Sequence, residues 1–156
     1  MPGFKESEVE QIIVAVKTWA RRSPINSFAI VGSWARKQAR SDSDLDLMFL
    51  TSNPELFLGN TTWFNNISWN NLDLKIERYY DRTYGVVRSR HLVFQSGQRI
   101  EFSFGNLDWA KIDPIDSGTY QVVSNGMRII SDRHRLLGNL QAMPSANYVI
   151  ANNLKN

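Results

Sequence analysis

The segment SDSDLDLMFL, residues 41–50, constrains this chain more than any other, because three aspartates lead straight into an apolar run. Leu45 to Leu50 has the period of two expected of a strand. That period sends Leu45, Leu47 and Phe49 to one face and Asp44, Asp46 and Met48 to the other. Two carboxylates on one strand face lie only about 7 Å apart and repel each other. Aspartate is disfavoured inside a strand unless it faces a cation or a hydrogen-bond donor. Asp44 and Asp46 therefore require a partner, whereas local hydrogen bonding in the turn Ser41-Asp42-Ser43 accounts for Asp42.

The residues upstream suggest what that partner is. Phe28 to Val31 reads as a short strand, followed by Gly32-Ser33 and then WARKQAR, whose composition predicts a short helix. Glycine allows a phosphate to approach the backbone closely, serine adds a hydroxyl and an amide, and a helix start offers unpaired N–H groups. A calcium loop is excluded, since its obligatory glycine falls on Leu47 and its bidentate glutamate on Asn53. Neither G-x-x-x-x-G-K nor G-x-G-x-x-G follows the first strand. What remains is a polyphosphate-metal arrangement, in which Asp44 and Asp46 hold one or two Mg²⁺ ions against phosphates cradled by Gly32 and Ser33.

The rest of the chain predicts a single α+β domain spanning residues 1–156, with a core over about 8–135 and an Asn-rich tail over 141–156. Glu8 to Trp19 carries an apolar stripe at helical spacing, Val9, Ile12, Ile13, Val16 and Trp19. Pro54 to Trp69 suggests a turn or two of helix. Leu72–Tyr80, Tyr84–Phe94 and Arg99–Phe104 read as strands, the last two joined by the hairpin signal Gln95-Ser96-Gly97-Gln98. Ser117–Val123 reads as a helix, Met127–Ile130 as a strand, and His134–Leu140 as a last helical turn. A hydrophobic content of 42% over 156 residues is enough for one packed core. The absence of cysteine excludes disulfides, thiolate metal sites and cysteine nucleophiles. A net charge of +3 does not by itself nominate a nucleic-acid partner. The N-terminus has no leader pattern and no apolar run approaches the roughly 20 residues of a membrane helix, so a cytoplasmic protein without a membrane partner is expected.

Gly32-Ser33, a gap containing Arg36, and Asp44-Leu45-Asp46 followed by apolar residues resemble the G-S … D-x-D signature of the DNA polymerase beta-like nucleotidyltransferase superfamily, in particular its small stand-alone members. The resemblance covers residues 25 to 135 and implies a mixed β-sheet with helices packed mainly on one face. It also implies a third carboxylate on a later strand, for which Glu101 within Arg99-Ile100-Glu101-Phe102-Ser103-Phe104 is the candidate. Asp73, Glu77 and Asp108 are the alternatives, none in an equally apolar setting.

The resemblance further implies transfer of a nucleoside monophosphate, AMP from ATP, to a hydroxyl or phosphate acceptor. Two Mg²⁺ ions, replaceable by Mn²⁺, would be held by Asp44, Asp46 and Glu101. Ser33, with Arg36 or Lys37, would grip the outer phosphates, although a solvated helix face explains either base equally well. Arg88 either lines an acceptor cleft or belongs to a solvated sheet face. The same choice applies to the mixed aromatic and basic segment Arg78-Tyr79-Tyr80-Asp81-Arg82, which could stack bases. His91 and His134 lack ligands at metal spacing and are expected to be structural or superficial. The acceptor is a small molecule, a protein side chain or an RNA end, and a homodimer could complete the cleft. The competing expectation is an antitoxin-like nucleotide-binding or partner-binding module with little turnover.

Overall fold

The structure, a computed structural model, describes residues 3–112 and 115–142. The first helix, α1 (Glu6–Arg21), buries Val9, Ile12, Ile13, Val16 and Trp19, the stripe that the sequence shows. Its start is fixed by Glu8, whose carboxylate accepts a hydrogen bond from the Lys5 backbone N–H at 2.8 Å. Each fully buried aliphatic side chain in that stripe contributes about 1.5–3 kcal/mol. That is enough to dock the helix on the sheet.

Six strands form one mixed sheet: β1 (Ser27–Val31), β2 (Leu45–Leu50), β3 (Ile76–Tyr84), β4 (Val87–Phe94), β5 (Arg99–Gly105) and β6 (Arg128–Asp132). Their spatial order is β3-β4-β5-β2-β1-β6, and β2 with β5 is the parallel pair. The expected α+β class with a mixed sheet is what the chain adopts. The third and fourth strands are shifted from their expected limits, because the hairpin turns at Gly85-Val86 and not at residues 81–83. Gly85 has a φ of +59°, a conformation that costs glycine little and lets the chain reverse in two residues.

Both faces are covered, unequally. The larger cluster packs α1, Phe57, Trp63, Phe64 and Trp69 against Phe28, Phe49, Phe102 and Phe104. Phe49 stacks on Phe28, Phe102 and Phe104 at centroid distances of 4.7, 5.5 and 5.3 Å. The smaller cluster, on the opposite face, places Trp109, Leu137 and Leu140 over Ala29, Met48 and Leu50. It includes α4 (Ser117–Asn125) and α5 (Leu136–Ala142), with α2 (Gly32–Ala35) and α3 (Glu55–Leu58) as single turns between strands. The segment WARKQAR, expected to be helical, leaves the helix after Ala35. Lys37 takes a φ of +58° and the chain enters a turn closed by Arg40 and Ser43. Most of the tail expected over 141–156 lies outside the described residues.

Candidate active site

Parallel pairing of β2 with β5 places Asp46 beside Glu101, and antiparallel pairing of β1 with β2 places Val31 opposite Asp46. The chain leaves β1 through Gly32, whose φ is +72°. A Cβ at that position would lie 2.4 Å from Asp46 Oδ2, so glycine is required for the backbone to pass this close to the carboxylate. Gly32, Arg36, Asp46 and Glu101 are thereby gathered at the mouth of the sheet.

Two clefts meet at these four residues. One, about 470 Å³, also takes in Ser33, Ser43, Asp44 and Arg99, and is polar. The other, about 590 Å³, runs between the β3–β4 turn and α4 and is walled by Tyr84, Val87, Met48, Trp109 and Val122.

The electrostatics single out Asp46. Burial disfavours its charged form, the negative charges of Glu101 and then Asp44 add to the effect, and a hydrogen bond shared with Glu101 favours the proton; Arg36 opposes them. The result is a carboxyl pushed up to about 7. Glu101 has its own support, since Ser103 Oγ donates to Oε1 at 3.1 Å and Ser103 is bonded to Ser89 Oγ at 2.7 Å. His91, paired with Glu101 across β4–β5, is 5% exposed and places Nδ1 3.9 Å from Glu101 Oε2. Its Nε2 lies 3.4 Å from the Tyr84 hydroxyl.

Asp44 is differently occupied. Arg99 Nε donates to Asp44 Oδ1 at 2.8 Å, in the polar cleft. Among the described residues no three acidic or imidazole side chains converge on one point. Asp46 and Glu101 nonetheless fit a divalent cation: all their donors are hard carboxylate oxygens, their charges repel, and burial resists their joint ionisation.

Of the remaining sequence-derived candidates, Ser33 and Arg36 line the polar cleft. Lys37 does not: the positive φ after α2 turns it into a groove beside Glu6, Glu10 and Trp34. Arg88 is also elsewhere, because it shares the parity of the buried Arg90 and pairs with Glu55 of α3. Arg90, two residues on along the same face, is 1% exposed. Sequence reasoning passed over Arg99 and Ser103 and expected His91 to be structural or superficial; His91 is buried beside Glu101. Arg99 and Ser103 alternate with Glu101 along β5 and could have been found by parity, whereas His91 depends on a cross-strand register that no local pattern shows.

Neither a scan of protein-family models nor a search of curated proteins found a match to this chain. Among solved structures it is similar to an aminoglycoside 6-adenyltransferase from Bacillus subtilis, at 12% identity and a TM-score of 0.49, covering 80% of this chain and 40% of the other. It is also similar to a cytoplasmic RNA terminal U-transferase, at 15% identity and a TM-score of 0.42 over 64% of this chain and 28% of that one. A third, the Cid1 poly(U) polymerase bound to MgATP, aligns at 16% identity and a TM-score of 0.43 over 65% of this chain and 33% of the other. The chain thus spans well under half the length of each of these three proteins.

Proposed function

We propose that this chain is a nucleotidyltransferase that moves a nucleoside monophosphate, AMP from ATP on the family resemblance, to a hydroxyl or phosphate acceptor. The observation that carries the reading is the Asp46–Glu101 pair: two like charges in register on adjacent strands, at the junction of a polar and an apolar cleft. A protein that needed neither a cation nor a phosphate there would gain stability by replacing one of them.

In this reading Asp46 and Glu101 hold divalent metal, and Asp44 joins them when its pairing with Arg99 opens. Magnesium, once bound, neutralises charge on the triphosphate and acidifies the acceptor hydroxyl. The chain's own groups do the rest. Gly32 allows the phosphates close to the backbone, Ser33 and Arg36 grip their outer oxygens, and Met48, Trp109 and Val122 exclude water from the apolar cleft. Glu101, braced by Ser103, accepts the acceptor's proton as the hydroxyl attacks the α-phosphorus and pyrophosphate departs.

One observation favours a second reading, a nucleotide- or partner-binding module with little turnover. Arg99 holds Asp44 where a second cation would need it. Movement of label from α-labelled triphosphates onto an acceptor, with Mg²⁺ and a cell extract, separates the two. Transfer that disappears in Asp46→Asn supports the enzyme; metal-dependent nucleotide binding without transfer supports the module.

A further inference from the structure

The sheet face that carries Glu101 continues outward over β4 and β3. Register pairs lie on the same face, so three rows can be followed across the strands. The central row runs Asp46, Glu101, His91, Tyr80. On one side of it lie Arg99, Val93 and Arg78; on the other lie Ser103, Ser89 and Arg82. Tyr80 stacks on His91 with centroids 4.6 Å apart and planes inclined by 6°. The Arg78 and Arg82 guanidinium carbons sit 5.6 and 5.3 Å from the Tyr80 ring centroid. Both arginines are exposed, and among the described residues neither belongs to an ion pair. Tyr84, 49% exposed, carries the same face into the apolar cleft beside Glu101.

This surface is cationic and flat-sided, and its central row reaches Glu101 within two strand spacings of Tyr80, about 10 Å. We propose that it seats the end of a single-stranded nucleic acid, whose terminal hydroxyl is the acceptor. Arg78 and Arg82 meet backbone phosphates, and Tyr84 with the guanidinium planes stacks bases. A polycationic small molecule is repelled by the same two arginines, which argues against an aminoglycoside in this position. The assignment of an acceptor rests on the nucleotidyltransferase reading. In it the strand's terminal hydroxyl oxygen bonds to the α-phosphorus, the bond to pyrophosphate breaks, and the hydroxyl proton passes to Glu101. The binding surface itself needs no turnover.

The test is fluorescence anisotropy with short, end-labelled single-stranded RNA and DNA of mixed sequence, over a salt series, using wild type, Arg78→Ala/Arg82→Ala, Arg78→Lys/Arg82→Lys and Tyr84→Ala. The alanine pair is expected to weaken binding by roughly 10–100-fold and to lower the slope of log K against log salt by about 1.4, since each phosphate contact on a single strand contributes about 0.7. The lysine pair should retain that slope, and Tyr84→Ala should lose about 10-fold with the slope intact. Equal binding by wild type and the alanine pair overturns the proposal, as does wild-type affinity too weak to detect at low salt. Asp46→Asn separates the two readings. If both it and the wild type bind RNA but neither the wild type nor any variant releases pyrophosphate, the surface stands and the enzymatic reading falls. If label moves to an aminoglycoside or a protein and never to a strand end, the enzyme stands and this assignment falls.

Discussion

Arg90 with Asp81 and Asp46 with Glu101 are both charged pairs set into the sheet, and the protein treats them in opposite ways. Arg90 is 1% exposed, yet its nitrogens are fully used: Nε and Nη2 meet the two Asp81 oxygens at 2.8 and 2.9 Å, and Nη1 and Nη2 donate to the carbonyls of Phe57, Leu58 and Asn60. Aromatic rings of Trp63, Phe64 and Tyr79 lie within 4.8–5.8 Å of the guanidinium carbon. This charge ties the segment after β2 to the β3–β4 hairpin. Asp46, by contrast, is buried next to a second carboxylate, and burial first and that neighbour second raise its pKa instead of lowering it. A compensated buried charge reads as structure; an uncompensated pair at a cleft reads as a place for something that comes and goes.

The comparison breaks most visibly in activity. Asp46→Asn should lower pyrophosphate release by about 10⁴-fold, close to 5.5 kcal/mol of transition-state stabilisation, while the variant remains folded. A loss below tenfold would put the chemistry elsewhere. Arg90→Ala should do the reverse, costing roughly 3–5 kcal/mol in urea unfolding because Asp81 and three carbonyls are left without their donor.

How much of this was legible in the sequence follows the same division. Asp46 and Glu101 sit on strands whose alternation can be read residue by residue, so their facing was accessible, whereas Asp44 lies just before β2 and its pairing with Arg99 was not. The backbone after Ala35 was not. WARKQAR has helical composition, and only the left-handed turn at Lys37, set by how this loop returns to β2, removes that lysine from the cleft. Arg88 was left between an acceptor cleft and a solvated face, and local pattern could not show that α3 and the turns after it pack over this side of β4, pairing Arg88 with Glu55 and burying Arg90. Arg78, Tyr80 and Arg82 were visible as a mixed segment, while their alignment with Glu101 depends on the register of three strands.

Smaller effects sharpen the contrast. In the folded chain Asp46 keeps its proton up to about pH 7, whereas the ordinary aspartate value is 3.8. Between those values the folded state binds more protons than the unfolded one, so this group's contribution to stability falls as pH rises and levels off above 7. Metal-free wild type should therefore lose about 4 kcal/mol relative to Asp46→Asn across that window, measured by thermal unfolding at several pH values. Parallel curves for the two proteins would mean that Asp46 titrates normally. Ser103→Ala, which removes the donor to Glu101, should lower turnover only about 3–10-fold, or roughly 1 kcal/mol, and shift the pH–rate profile. An unchanged profile would leave Ser103 with a packing role alone.

The most direct measurement is the melting temperature at pH 8 as Mg²⁺ is titrated, in wild type and in Asp46→Asn. Two carboxylates completed by a cation predict a rise that grows with the logarithm of metal concentration in the wild type and is absent in the variant. A wild-type melting temperature indifferent to Mg²⁺, with and without ATP, would contradict the account.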